Sequence, residues 1–231
     1  MKKKLSIYGS TGSIGESTFK LFKKNNYNYK FYILTGYKNY KKIKYLIKKY
    51  KPSYFVIFDE KTCLKIRKEF KNNKVKILNS KDYDNYKFKK SDISILAIPG
   101  INGLEPTLKA IKISKKILIA NKESIICGWE LINKIVKKYK VKVSPVDSEH
   151  FSIMNLIKKE DKNNIDKIYL TASGGPFLNY SQKKMNKIKP SEALNHPKWK
   201  MGKKISVDSA TLMNKILEVI EAKKLFSIDQ K

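Results

Sequence analysis

One feature constrains the fold of this chain more than any other. Between Leu5 and Val146, short apolar β-rich runs alternate with stretches of helical period. Strands are expected at 5–8, 31–34, 54–58, 75–78, 93–98, 117–120 and 141–146. Helices are expected at 14–24, around Ile43, Leu46 and Ile47, at 64–70, after Pro99-Gly100 to about Ile113, and at 124–139. Parallel strands need a crossover, usually a helix, so this alternation predicts an α/β fold with a doubly wound parallel sheet. After Asp147 the pattern changes. A helix is expected at 151–157 and a strand at 168–172, running into Ser173-Gly174-Gly175-Pro176. A polar, lysine-rich stretch then reaches about Gly202, and one long helical period spans 206–226. This reading divides the chain into 1–146 and 147–231. The second part is an incomplete α+β domain. One strand cannot form a sheet, so its partners are expected beyond Lys231, or the segment docks on the first part.

The first strand ends in Gly9-Ser10-Thr11-Gly12-Ser13-Ile14-Gly15, where a helix begins. Glycines at such a turn let the backbone approach a pyrophosphate at a helix N-terminus. The spacing is GxxGxxG, and a turn of this kind alone is often only structural. Its place after the first strand of an alternating pattern favours a Rossmann-like nucleotide site. NAD enzymes usually carry an acid about 20 residues after that loop, on the ribose 2′-hydroxyl. No acid lies between Glu16 and Asp59; strand 2 ends instead in Gly36-Tyr37-Lys38-Asn39. Lysine and amide suit a 2′-phosphate, which points to NADPH over NADH. The competing reading is that Lys38 is one more solvated lysine.

Lysine is abundant throughout. The formal net charge is +31, yet of 51 basic residues only Arg67 is arginine. Base and phosphate readers rely on the planar fork of arginine, and the lysines here form no single stripe. The bias fits compositional drift in an A+T-rich genome, so no nucleic-acid partner is expected, although the charge should draw anionic small substrates. No apolar run reaches the ~18 residues of a membrane-spanning helix. A cytoplasmic protein with no membrane partner is expected. Cys63 and Cys127 form no paired framework.

Three segments bring polar residues to element ends: Ala120-Asn121-Lys122-Glu123-Ser124, Pro145-Val146-Asp147-Ser148-Glu149-His150, and the helix carrying Asn214, Lys215 and Glu218. Residues three and four apart share a helix face. Asp147 and Glu149 flank one residue, so on an extended segment they point the same way. With Glu218 they form a hard-oxygen set suited to Mg²⁺ or Mn²⁺. With only two histidines and no cysteine pair, zinc is disfavoured. From the spacing alone, helix-capping acids on a solvated face are the somewhat favoured reading, and His150 reads equally as a packed core residue.

Together with Ser173-Gly174-Gly175-Pro176-Phe177, His196-Pro197-Lys198-Trp199-Lys200-Met201-Gly202 and Lys204-Ile205-Ser206-Val207-Asp208-Ser209-Ala210-Thr211, these segments resemble, in order, the 1-deoxy-D-xylulose 5-phosphate reductoisomerase family. The resemblance runs from Leu5 to Phe226. It implies NADPH- and divalent-metal-dependent (Mg²⁺, Mn²⁺ or Co²⁺) conversion of 1-deoxy-D-xylulose 5-phosphate to 2-C-methyl-D-erythritol 4-phosphate in isoprenoid precursor synthesis. By resemblance, Asp147, Glu149 and Glu218 hold the metal. Ser148, Lys122 and Glu149 meet the substrate, and Ser173, Ser209, Asn214 and Lys215 take its phosphate. Thr11, Gly12, Ser13, Ile14, Gly36, Lys38, Asn39, Asn121, Glu123 and Gly202 match cofactor positions. His196 to Met201 matches a lid, with His196, Trp199 and Met201 near the reacting groups. At Tyr37 many relatives carry a small residue. Relatives continue past Lys231 with further strands, a helical domain and part of a homodimer contact, so a fragment or a decaying gene product is expected. The competing functions are another NADP-dependent oxidoreductase acting on a phosphorylated sugar or an acyl phosphate, with Cys127 as the candidate nucleophile, or a lysine-rich nucleic-acid binder.

Overall fold

A computed structural model describes residues 2–25, 28–158, 160, 164–197 and 202–227. By their contacts these fall into two compact units, Met1–Val146 and Asp147–Lys231.

The first unit is a seven-stranded parallel sheet: β1 (Lys3–Tyr8), β2 (Tyr29–Gly36), β3 (Tyr54–Ile57), β4 (Lys76–Leu78), β5 (Ser91–Leu96), β6 (Ser114–Ile119) and β7 (Lys142–Pro145). The strand order is β4-β3-β2-β1-β5-β6-β7. Six helices belong to it: α1 (Ser13–Asn25), α2 (Tyr40–Tyr50), α3 (Glu60–Glu69), α4 (Ser80–Asn85), α5 (Leu104–Lys112) and α6 (Lys122–Tyr139). Strands of such a sheet are covered on both faces and read as continuous apolar runs. Accordingly Leu5, Ile7, Leu34, Ile57 and Phe55 are essentially inaccessible and pack with Ile43, Ile47 and Ile66 of α2 and α3. Serines in the strands satisfy one another instead of water: Ser6 with Ser91 at 2.6 Å and Ser94 with Ser114 at 2.7 Å. The fully buried Tyr8 hydroxyl meets that of Tyr83 at 2.9 Å. Burial pushes the Tyr8 phenol well above its ordinary value and that of Tyr83 up to about 12.

The sheet turns about at β1, which pairs with β2 on one side and β5 on the other. Ligand crevices of open α/β sheets lie at the carboxyl ends of the strands at that switch point. The seven strands expected before Asp147 are all present, with ends shifted by a few residues. The helix α4 was not expected; a capping box between Asn79 and Asp82 sets it.

The second unit contains α7 (Ser148–Ile157), α8 (Gln182–Met185), α9 (Pro190–Ala193), α10 (Lys203–Ala210) and α11 (Met213–Phe226). Two expectations fail here. The run 168–172 forms no strand, because no described residue pairs with it. The single helix expected over 206–226 is broken at Leu212, whose φ of 60° no α-helical residue adopts. A small core of Ile153, Ala222 and Phe226, with Ile168 and Leu170 against it, ties α7, α11 and the 168–172 segment together.

Candidate functional site

In the second unit, Asp147 is the N-cap of α7, and its side chain accepts from the Glu149 backbone N–H at 3.3 Å. The extended-segment argument for Asp147 and Glu149 is therefore corrected. They converge because a capping aspartate folds back over the first turn, where Glu149 sits. From α11, Glu218 is only 2% exposed. Oxygens of Asp147, Glu149 and Glu218 lie within 4.8 Å of one another. Mg²⁺ takes such carboxylate oxygens at about 2.1 Å and keeps further positions for water or substrate oxygens.

Lys215 reaches into this cluster. Its ammonium donates to Glu149 Oε1 at 3.3 Å, and also to Glu218 Oε2 and the Thr171 carbonyl. Asn214 donates to the other oxygen of Glu218, and the Ser148 hydroxyl donates to Glu149 at 2.8 Å. Burial alone would raise the Glu149 carboxyl. Hydrogen bonding with Asp147, Ser148 and its own backbone N–H, together with the Lys215 charge, outweighs burial and brings it down to about 2. Burial lowers Lys215, but its contacts with Glu218 and Glu149 win and raise it. Carboxylates held this close together are the kind of oxygen donors that a divalent cation takes.

A concavity beside the cluster is lined by Glu149, Ser173, Gly174, Gly175, Ser209, Asn214 and Lys215. Gly174 and Gly175 both have positive φ, 79° and 68°, a conformation that suits glycine. A Cβ on Gly175 would stand 3.0 Å from the Ser209 carbonyl oxygen, so the bare backbone keeps this concavity open. His196 Nε2 lies 3.0 Å from the Ser173 hydroxyl. The structure thus gathers Asp147, Ser148, Glu149, Ser173, His196, Ser209, Asn214, Lys215 and Glu218 within one unit. Trp199 and Met201 lie outside the described residues. Gly202 is the N-cap of α10, where its carbonyl accepts from the Ser206 backbone N–H and hydroxyl.

In the first unit, the glycine loop sits at the switch point. Gly9 has a φ of 84°, and a Cβ there would lie 2.7 Å from the Ala97 carbonyl oxygen. One on Gly15 would lie 2.4 Å from the Ser10 carbonyl oxygen, so α1 could not start so close to β1. Thr35 anchors the loop: its hydroxyl accepts from Gly9 N–H at 2.8 Å, and its carbonyl accepts from the Ser10 hydroxyl at 2.7 Å. Thr11 and Gly12 lead into Ser13 and Ile14 at the N-terminus of α1. At the end of β2, Gly36 precedes the exposed Tyr37, and the Lys38 ammonium lies 5.0 Å from the Tyr37 ring centroid. Asn39 caps α2, accepting from Lys42 N–H at 3.1 Å. Asn121, 2% exposed, caps α6 and donates to the Gly100 carbonyl at 2.9 Å and to that of Ile98. Lys122, buried, and Glu123 follow in the first turn of α6. Cys127 is exposed within α6 beside the kink at Gly128.

One residue of the carboxylate cluster's surroundings escaped the sequence reading. Glu221 is 2% exposed, and its carboxylate lies 3.4 Å from His150 Nδ1. Its only sequence signal was the spacing of three from Glu218.

The first unit defines a Rossmann-like α/β protein, and the second adds a site rich in carboxylates. Residues 5–128 match the 1-deoxy-D-xylulose 5-phosphate reductoisomerase family, and residues 143–226 match the C-terminal domain described for that reductoisomerase. The chain belongs to that family. It is similar to the reductoisomerase of Pelagibacter ubique, with 52% identity over 232 residues covering 99% of this chain and 60% of the relative. It is also similar to that of Clostridium kluyveri, with 43% identity covering 98% and 60%. A crystal structure of DOX-P reductoisomerase in complex with NADPH, fosmidomycin and magnesium superimposes with a TM-score of 0.87, at 35% identity, covering 98% of this chain and 59% of that one. The Zymomonas mobilis enzyme in complex with NADPH gives 0.82 at 34% identity, covering 99% and 59%. The chain therefore spans about 60% of the length of the relatives it matches. None of its described helices is long and apolar enough to cross a membrane.

Proposed function

We propose that this protein acts in the NADPH- and divalent-metal-dependent isomerisation and reduction of 1-deoxy-D-xylulose 5-phosphate to 2-C-methyl-D-erythritol 4-phosphate. The observation that carries this reading is the adjacency, in one unit, of a three-carboxylate cluster and a concavity of hydroxyl, amide and ammonium donors. A phosphorylated hydroxy-ketone needs both: hard-cation ligands for its vicinal oxygens and donors for its phosphate. The family membership of the chain, and the NADPH, fosmidomycin and magnesium held by its structural relatives, support the same reading.

On this reading residues 1–146 bind NADPH and residues 147–231 bind metal and substrate. Asp147, Glu149 and Glu218 hold Mg²⁺ or Mn²⁺, which when bound polarises the substrate's carbonyl and hydroxyl oxygens. Lys215 and Asn214, with Ser173 and Ser209, donate to the phosphate. Ser148 stands beside Glu149 to orient a substrate oxygen. The Ser173–His196 hydrogen bond holds His196 at the phosphate rim. Thr11 to Ile14 offer the start of α1 to the pyrophosphate, and Lys38 with Asn39 selects the 2′-phosphate. The substrate role of Lys122, the cofactor roles of Gly36, Asn121, Glu123 and Gly202, and the lid role of Trp199 and Met201 rest on the motif match. The expected compartment is the cytoplasm.

The test is NADPH oxidation, followed at 340 nm, with 1-deoxy-D-xylulose 5-phosphate and Mn²⁺. The reading expects a loss of absorbance that needs both additions and stops with EDTA. A full-length protein of this sequence that binds NADPH tightly without any such oxidation would overturn it, whereas residues 1–231 alone are expected to bind NADPH and turn over poorly.

A further inference from the structure

We infer that Leu212 is a positioning residue whose left-handed backbone turns α10 and α11 so that their donors meet at one concavity, an inference resting on the phosphate role proposed above. Ser209 lies near the end of α10, and Asn214 and Lys215 lie in the first turn of α11. All three line the same concavity, and Leu212 borders it too. An uninterrupted helix could not bring them together. At about 3.6 residues per turn it would place Asn214 about 140° from Ser209 in one direction and Lys215 about 120° in the other. The break removes that conflict. The Thr211 N–H still bonds back to the Val207 carbonyl at 3.0 Å, as in a helix. Leu212, with φ 60° and ψ 3°, then turns the chain. Its carbonyl accepts from the N–H groups of Lys215 at 3.0 Å and Ile216 at 3.2 Å, and α11 starts there.

Glycine adopts this conformation freely, whereas leucine adopts it at a cost. Such a backbone persists where its surroundings fix both sides of it, and such positions gather at binding sites. Both sides are fixed here. The Ser209 carbonyl abuts the Gly174-Gly175 turn, 3.0 Å from where a Cβ of Gly175 would stand. Beyond the break, Ala222 and Phe226 pack with Ile153, and the Glu218 carbonyl lies 2.9 Å from His150 Nε2. Burial of the leucine side chain does not explain the conformation, since Leu212 is 55% exposed. The two helices are anchored unequally: α11 buries Glu218, Glu221, Ala222 and Phe226, and α10 buries Ser206 alone. A residue that refuses a positive φ at 212 should therefore displace α10, and Ser209 with it, and leave Glu218 in place.

The experiment follows the binding of inorganic phosphate to the 231-residue chain by phosphorus magnetic resonance. Mn²⁺ affinity is measured on separate, phosphate-free samples from the paramagnetic resonance of free Mn²⁺. Leu212→Ile keeps every atom but moves the branch to Cβ, which nearly bars a positive φ. It should raise the phosphate Kd about tenfold, as the loss of one donor to a charged group does. Mn²⁺ affinity should stay within about twofold, as for an independent site. Leu212→Gly and Leu212→Asn tolerate the left-handed region and should bind phosphate at least as well as wild type. Ser209→Ala should weaken phosphate in the wild-type background and add no loss to Leu212→Ile, where the hydroxyl is already displaced. Leu212→Ala, which favours a continued helix, should show the same loss and serves if the isoleucine variant does not fold. Four results would overturn the inference. These are wild-type phosphate affinity in the isoleucine or alanine variant, an equal loss in the glycine and asparagine variants, losses that add with Ser209→Ala, or an equal loss of Mn²⁺ affinity. Failure of the phosphate reading itself looks different, since Ser173→Ala and Ser209→Ala would then leave wild-type phosphate binding unchanged.

Discussion

Replacing Lys215 by methionine should move two affinities in opposite directions. The ammonium occupies the place where a cation would draw on the carboxylates: it donates to Glu149 Oε1 at 3.3 Å, to Glu218 and to the Thr171 carbonyl. A unit charge pair at that distance and an effective dielectric of about 20 attracts by about 5 kcal/mol. Most of this is cancelled by desolvation, since Lys215 is only 21% exposed in its side chain and Glu149 only 22%. If about 1.4 kcal/mol survives as the cost of withdrawing the ammonium before a metal can enter, removing it tightens Mn²⁺ about tenfold. On the proposed function the same substitution deletes a charge-assisted donor to the substrate phosphate, worth about 1.5–3 kcal/mol, so KM for 1-deoxy-D-xylulose 5-phosphate should rise about tenfold or more. Methionine keeps the length of the aliphatic stem and so limits packing loss. Mn²⁺ titration and steady-state kinetics on one preparation decide the matter. An Mn²⁺ affinity that stays the same or weakens would refute the reasoning. It would mean that the ammonium organises the carboxylates rather than competing for them.

Glu149→Gln should abolish metal-dependent turnover and leave NADPH affinity, measured by fluorescence, within about twofold, since the amide keeps size but loses the charge a hard cation needs; near-normal activity would make the carboxylates structural. Fluorescence titration should show NADPH binding more tightly than NADH, and Lys38→Ala should weaken NADPH alone; equal affinities in wild type would assign Lys38 to the solvated surface. The Glu149 carboxyl sits at about 2 against an ordinary 4.5, so its contribution to stability is complete above about pH 4.5 and is lost as pH falls through about 2. Melting curves between pH 2 and 5 should therefore lose part of their pH slope in Glu149→Gln, and identical slopes would show that Glu149 gains nothing from its partners on folding.

The sheet was legible in the sequence because parallel strands buried on both faces read as near-continuous apolar runs, broken only by small, mutually bonded serines. Runs such as Ser6-Ile7-Tyr8 and Phe55-Val56-Ile57 have no other comfortable reading once helices separate them. Where the sequence misled, a single backbone or tertiary fact decided. Ile168 to Ala172 has β-rich composition, but a strand is a pairing, and composition cannot supply the partner. The helix break at Leu212 carries no glycine or proline to announce it. The spacing of Asn214, Lys215 and Glu218 survived because all three follow the break. Glu221 was illegible for a different reason: in a chain so rich in charged residues, nothing local marks the one glutamate that is buried against a histidine.

Asp147 gives the most instructive case, because the sequence posed helix cap and metal ligand as alternatives. Its capping bond is what turns α7 so that Glu149 points back toward it, and α7 is also what carries His150 to Glu218 and Glu221. The cap therefore helps to build the proposed cation site instead of competing with it. A motif of Asp-Ser-Glu-His is compact because one helix start delivers a cap, a proposed ligand and a buried histidine within four residues.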